Sequence, residues 1–542
     1  MALYRDRTVE IPKHTYRQKR ARSGLEYIYL YTKSFRNEAG QSRHHSTLIG
    51  LYDPATGRMH PNDHYYELLD VPNDMTDGEI YNVGYAAVVE ACFEDLGMLD
   101  TLEKAFGTTR AKELRSIAAY MVKEGCVMSY VDDFTEKEFF ASFDRVLTSQ
   151  QVSDLFESIT ESEMESFYRG WIPTVAEDGY LCYDVTSVST YSQMTTEAEY
   201  GYNRDHDRLP QLNLGLFTSE KSRYPVYLFP YNGSVNDMSN VVYACKNAKA
   251  AGLEGKIQVV MDGGFFDAKK LRELTDEGLI CTVGMPIYSK LSRDYVDQFG
   301  QDLYNPCYLL NYSGTYGKIL EGQEVLGLQG RVFIGLCVKS REMLNDDLNA
   351  KIERYTMELR GIAKYQTAVR QTKYTNLFDI EMADDGKHFT FSLNREKELS
   401  ARKYFGYFLI FTQDPLASPD DILRAYREKD LDEKMFYDIK VYMQGRRPRT
   451  HRQETFQGKY FAVLIALILR TWLKRKLAEY KKANHLTLKR CLMKLSDIRI
   501  YQDQSNIRFL KALTAEQRIL LDACGVDVNH LESICKNKLN SR

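Results

Sequence analysis

From residue 179 the chain stops reading as short helices. It runs three strand-like stretches in succession, then alternates helix and strand. The strands are GYLCYDVTSVS (179–189), QLNLGLFT (211–218) and PVYLFPY (225–231). A helix is expected at about 235–250, then a strand KIQVVMD (256–262), a helix FDAKKLRELTDEG (266–278) and a strand LICTVG (279–284). The order β-β-β-α-β-α-β predicts an α/β unit, a mixed sheet with helices on its faces.

Residues 285–400 break the alternation with a long charged helical stretch around 341–362 and a strand KHFTFSL (387–393), which reads as an insertion. The core pattern resumes at YFGYFLIFTQD (404–414) and leads into a helix over 419–440. That helix is well started, with Ser418 as N-cap, Pro419 at the first helical position, and Asp420 and Asp421 in the first turn. Ahead of the α/β unit, 25–51 reads as a β-hairpin and 76–170 as amphipathic helices with acidic surfaces. After it come a helix over 459–482 and a tail, 486–535, with helical leucine spacing. The expected division is a basic arm with hairpin (1–75), a helical, DNA-binding region (76–175), a first core part (176–285), an insertion domain (286–403), a second core part (404–482) and a helical tail (483–542).

Net charge is −3, so the chain as a whole does not advertise a polyanion partner. Its distribution does: 440–482 holds twelve Lys or Arg against Glu454 and Glu479, and the first 22 residues hold seven against two acids. A solvated helix face is the plainer alternative for the C-terminal stripe. The ten cysteines form no C-x-x-C pair, so buried thiols in a reducing cytosol are expected, not a zinc cluster. The N-terminus lacks the apolar core of a signal peptide. The longest apolar run, 460–469, is too short to span a bilayer and reads as a buried helix, so no membrane partner is expected. No P-loop is present, and no nucleotide cofactor is implied.

Three acids stand out. Asp184 sits inside an apolar strand, where a carboxylate is costly unless paired by a metal ion or by neighbours such as Thr186 and Ser187. Asp262 ends a strand before Gly263 and Gly264, at the strand end where α/β sheets bind ligands; an ordinary Asp-Gly turn is the alternative. Asp267 reads as the cap of the next helix. On helix 419–440, Tyr426, Lys429, Glu433 and Lys440 project within about 60° of one another. Leu431, Met435 and Ile439 form a separate apolar face. The Tyr-Lys-Glu-Lys stripe is either functional or solvent-facing, with Lys429–Glu433 as an i, i+4 ion pair. Arg204, His206 and Arg208 share a loop between strands, and His44 and His45 lie on the hairpin; for these a surface reading is the simpler one.

The spacing Y-x-x-K-x-x-x-E-x-x-x-x-x-x-K from Tyr426 to Lys440 resembles the YREK signature of DDE transposases from bacterial insertion sequences, with Lys429 where that family has Arg. YDVTSVS and VVMDGGFFD resemble the segments that carry its two aspartates. The strand order is similar to the ribonuclease H-like fold. The 171-residue gap from Asp262 to Glu433 resembles the branch with a β-rich insertion domain.

The resemblance implies Asp184, Asp262 and Glu433 as catalytic residues and ligands of two Mg²⁺ (or Mn²⁺) ions, Asp184 bridging both. It further implies that Lys429 and Lys440 contact phosphates, that Tyr426 contacts DNA near the cut, and that Arg446, Arg447, Arg449 and Arg452 extend the polyanion track. The implied partners are double-stranded DNA, as transposon ends and target, and a second copy of the chain. The expected activity is cleavage of transposon ends and strand transfer. A metal-dependent nuclease on the same fold and a catalytically inactive DNA-binding protein are the competing readings.

Overall fold

The computed structural model describes residues 8–20, 24–36, 42–69, 79–141, 143, 145–176, 180–191, 198–199, 209–233, 245–246, 248–250, 258–312, 314–365, 371–383, 388–450, 452–502 and 508–536. The chain forms two compact units, one of residues 1–171, 188–198 and 437–542, the other of 172–187 and 199–436.

The first unit begins with an antiparallel sheet in the order β1-β2-β3-β4: β1 (Thr15–Lys19), β2 (Glu26–Arg36), β3 (Ser42–Asp53) and β4 (Arg58–Pro61). The expected hairpin is β2–β3. Strand alternation sends Ile28, Leu30 and Ile49 to one face, where they bury against Met59 and Tyr65. Strand β5 (Glu79–Asn82) pairs with the late strand Arg499–Gln502, which in turn pairs with Arg508–Leu510.

The rest of this unit is helical. Its spine is Gln453–Lys476, and eighteen consecutive-turn residues such as Phe461, Leu464, Ile468 and Trp472 are buried along it. It packs on Thr108–Lys123 and on Ser149–Ser158. Gly458 marks the closest approach, because a Cβ there would stand 2.0 Å from the Phe156 carbonyl oxygen. This helix is long and apolar enough to cross a bilayer, yet nearly all of its apolar window is buried inside the protein.

The second unit is a mixed α/β structure around an eight-stranded sheet. Its strands are β6 (Tyr180–Ser189), β7 (Gln211–Ser219), β8 (Pro225–Asn232), β9 (Gln258–Met261), β10 (Ile280–Met285), β11 (Thr315–Val325), β12 (Leu328–Cys337) and β15 (Tyr407–Thr412). They stand in the order β11-β12-β15-β10-β9-β6-β7-β8. β6–β9 and β9–β10 are parallel, while β7–β8, β10–β15, β15–β12 and β12–β11 are antiparallel. All nine residues of β7 are buried, the polar Gln211, Asn213, Thr218 and Ser219 included, so the strand is covered on both faces.

The successive strands and helices of 179–284 form as the pattern predicts. Of the helix expected at 235–250, only the described residues 245–246 and 248–250 are seen, and they are helical. Residues 286–403 contribute β11 and β12 directly to the main sheet. They also form a long helix, Val338–Tyr365, against a separate pair, β13 (Phe378–Met382) and β14 (Phe389–Leu393).

One element departs from expectation. The helix read as continuous over 419–440 is three pieces: Pro419–Glu428, Asp430–Tyr437 after a break at Lys429, and a π-turn at Asp438–Tyr442. The N-terminal signals are realised, with Ser418 and Asp421 bonding each other's backbone in a reciprocal cap.

Candidate active site

Strands β6 and β9 run parallel with Leu181 opposite Val259 and Cys182 opposite Val260. Two residues further along that register Asp184, in the middle of β6, comes level with Asp262, just past the end of β9, on neighbouring strands about 4.8 Å apart. β6 is an interior strand between β9 and β7.

Asp262 closes β9 and caps a short 3₁₀ turn, its Oδ1 accepting the Gly263 N–H at 2.7 Å. The same oxygen accepts from Lys429 Nζ at 2.8 Å and from the Tyr426 hydroxyl at 3.4 Å. Burial pushes the Asp262 carboxyl up, but the Lys429 ammonium, the Gly263 N–H and the Tyr426 hydroxyl outweigh it and hold the group below the usual carboxylate value. Burial alone would lower Lys429, yet Tyr426, Asp262 and Glu433 hold it above its ordinary value. Asp267 caps Ala268–Asp276 as expected.

The Pro419–Glu428 helix brings those two side chains to Asp262. Ile422, Leu423 and Ala425 bury on the sheet against Cys182, Val260, Phe333 and Ile410. Tyr426 packs over β10, where Gly284 makes room: a Cβ at that position would stand 2.1 Å from the Tyr426 hydroxyl. Beyond Arg424, which pairs with Glu220, the end of the helix is tied to the β7–β8 turn by Glu428 with Arg223.

Glu433 lies exposed in the first turn of Asp430–Tyr437. Its neighbour Asp432 is fully buried, and Oδ1 accepts from Thr218 Oγ1 at 2.5 Å. Burial raises the Asp432 carboxyl far above the ordinary range; the Thr218 bond opposes this, Asp184 adds to it, Lys429 opposes it and Glu433 adds to it. Asp184, Asp262, Asp432 and Glu433 therefore share one electrostatic neighbourhood with Lys429. Asp432 is the residue sequence reasoning missed. The signal was present, since Asp432 falls at i−3 and i−7 from the apolar Met435 and Ile439.

Thr218→Val would keep the shape and remove the one hydrogen bond that the Asp432 carboxyl makes among the described residues. A loss of roughly 1–3 kcal/mol is expected in urea unfolding followed by far-UV circular dichroism. Unchanged stability would show that Asp432 does not depend on Thr218.

The remaining predicted residues lie in the other compact unit. Lys440 is half-buried in the π-turn, and Arg446 and Arg449 are exposed. Arg447 lies over the Tyr191 ring at 5.3 Å, and Arg452 pairs with Glu157. Part of the basic stripe is internal: Lys459 is buried and donates to the Pro448 carbonyl at 2.7 Å, while Arg470 and Lys474 converge on buried Asp438. Arg204, His206 and Arg208 lie outside the described residues.

Among the described residues no three acidic, histidine or cysteine side chains stand together as a ready metal cage. The charge and chemistry nonetheless suit a hard cation. Asp262 and Glu433 act on Lys429 and Asp184 acts on Asp432, and the buried Oδ2 of Asp432 has no hydrogen-bond partner among the described residues.

Residues 176–469 match the family model of the transposase DDE domain, and the chain belongs to that family of nucleic-acid-cleaving enzymes, which generally use divalent metal ions. Among solved structures it is similar to the piggyBac transposase in a synaptic complex with hairpin DNA. That likeness has 8% identity and a TM-score of 0.35 over 84% of this chain and 83% of that one, too loose to fix details of the fold. No curated protein matches it in sequence.

Proposed function

We propose that the chain is the DNA transposase of a bacterial insertion sequence, of the YREK-signature group. Its eight-stranded sheet is read as a ribonuclease H-like core. Asp184, Asp262 and Glu433 are the catalytic carboxylates that would hold two Mg²⁺ or Mn²⁺ ions. The observation that carries this reading is the level placement of Asp184 and Asp262 on parallel neighbours, with Tyr426 and Lys429 of the signature both bonded to Asp262.

The metal ions, when bound, would activate water or a 3′-hydroxyl and neutralise charge developing at phosphorus. The protein's own part is positional. The middle of β6 and the end of β9 would present two carboxylates side by side, and the helical segment after β15 would add Glu433. Lys429 holds Asp262 in place and would contact a phosphate beside the scissile bond. Tyr426 contacts DNA near the cut. Lys440, Arg446, Arg447, Arg449 and Arg452 give sequence-independent affinity for backbone phosphates, and the helical 76–175 region is a further DNA-binding region. Two ends require at least two copies of the chain, acting in the bacterial cytoplasm.

The test is incubation with pre-cut end DNA, target DNA and Mg²⁺. Ends joined to target are expected. Shorter fragments without joining would make the protein a nuclease, and binding without any product an inactive DNA-binding protein. Lys429→Ala is expected to weaken end-DNA binding and reduce the slope of log K against log salt by about one unit. An unchanged slope would remove Lys429 from the phosphate contacts.

A further inference from the structure

The N-terminal sheet has a second face that its core does not use. With Ile28 and Leu30 turned inward, alternation turns Tyr27, Tyr29 and Tyr31 outward, about 6.8 Å apart along β2. Tyr16 of β1 joins them from the neighbouring strand, opposite Tyr29 in the register.

Tyr16, Tyr29, Tyr31 and His44 form one connected row, with Tyr27 next along β2. Tyr16 stacks on Tyr29 with centroids 5.3 Å apart, Tyr16 lies 5.1 Å from Tyr31, and Tyr31 lies 5.1 Å from His44. At the other end the Arg20 guanidinium sits 4.7 Å over Tyr27. Tyr31 is 44% exposed, and Tyr16, Tyr27 and Tyr29 are half-buried, so ring surface remains open to solvent.

Aromatic rows on a solvent face are not needed to hold a sheet whose apolar residues already pack on the other side. Local charge says what such a row would meet. Residues 1–61 carry eleven Lys or Arg against five acids, a positive excess in a chain whose net charge is −3. Positive charge draws a polyanion, and exposed ring faces take exposed base faces, which a duplex hides within its own stack.

We propose that this face binds an unpaired stretch of DNA, bases stacked on Tyr16, Tyr27, Tyr29 and Tyr31 and phosphates neutralised by Arg20 and the basic residues around it. This site is separate from the carboxylate pocket and does not depend on cleavage.

The experiment measures fluorescence anisotropy of the full chain with a labelled oligothymidine strand and with a duplex of equal length. Tyr31→Ala should weaken single-strand binding about tenfold and leave duplex binding within twofold. Tyr31→Phe, which keeps the ring, should bind like the parent. Equal losses on both DNAs, or no loss on either, would overturn the proposal. Photocrosslinking of the unaltered chain to a 5-iodouracil strand provides a reading that no substitution can disturb. Crosslinks on the peptides of β1–β3 support the site, and crosslinks confined to other segments refute it.

Discussion

Glu433→Gln is expected to abolish cleavage of transposon ends, lowering the rate at least about 10³-fold, while end-DNA affinity stays within a few-fold of the parent. The substitution keeps size and hydrogen-bonding capacity and removes one negative charge. If Glu433 helps hold a cation that stabilises the charge developing at phosphorus, its loss costs several kcal/mol of transition-state stabilisation, and each 1.36 kcal/mol is tenfold in rate. Binding should survive because Glu433 is exposed and takes no part in the buried packing of its helix, which rests on Met435 and Phe436. The measurement is single-turnover cleavage of labelled ends, with binding followed separately by anisotropy. Cleavage at the parental rate would remove Glu433 from the catalytic set and turn attention to Asp432, one residue away and already buried among the same charges.

The second large effect is on stability. Asp438 is buried in the first unit between Arg470, whose Nε lies 3.0 Å from Oδ1, and Lys474 on the same helix as Arg470. The Arg470 guanidinium also lies 4.5 Å over the Tyr442 ring. Asp438→Asn leaves this guanidinium, almost wholly buried, without its counter-charge. Removing one partner of a buried pair costs roughly 3–5 kcal/mol, because the remaining charge cannot return to water. Both tryptophans, Trp171 and Trp472, belong to this unit, so intrinsic fluorescence in a urea titration reports on it selectively. The double variant Asp438→Asn/Arg470→Met should recover much of the loss, since an apolar side chain tolerates that interior. A single variant within 1 kcal/mol of the parent, an order-of-magnitude threshold, would show that the pair contributes little to the folded state.

The part of the molecule most readable from sequence was the segment whose hydrophobic period is unambiguous. Strands β6 to β10 alternate with turns and helices in an order that few sheets share, and each forms within a few residues of where the pattern places it. The β11–β12 hairpin was not seen. Its turn, Leu326-Gly327, adopts left-handed φ values of 54° and 78°, but Leu is not a residue that announces such a turn. The break at Lys429 was equally hidden. No Gly or Pro marks it, and the spacing of Tyr426, Lys429 and Glu433 suits a continuous helix as well as an interrupted one. At the site, the acids were legible as residue types, and the alignment of Asp184 with Asp262 was not, because strand register is a tertiary property. The burial of Asp432 was overlooked for a simpler reason: an acid on an apolar stripe is read as solvent-facing by default.

The place of β15 in the sheet sets a schedule for synthesis. It lies between β10 and β12, yet it begins 122 residues after β10 ends. A ribosome adding about 5–20 residues per second leaves the outer edge of β10 without its neighbour for roughly 6–24 s. An open strand edge of that kind invites pairing with another nascent chain. Glu433 follows still later, so the nascent chain would be sticky before the segment that carries this acid had been made.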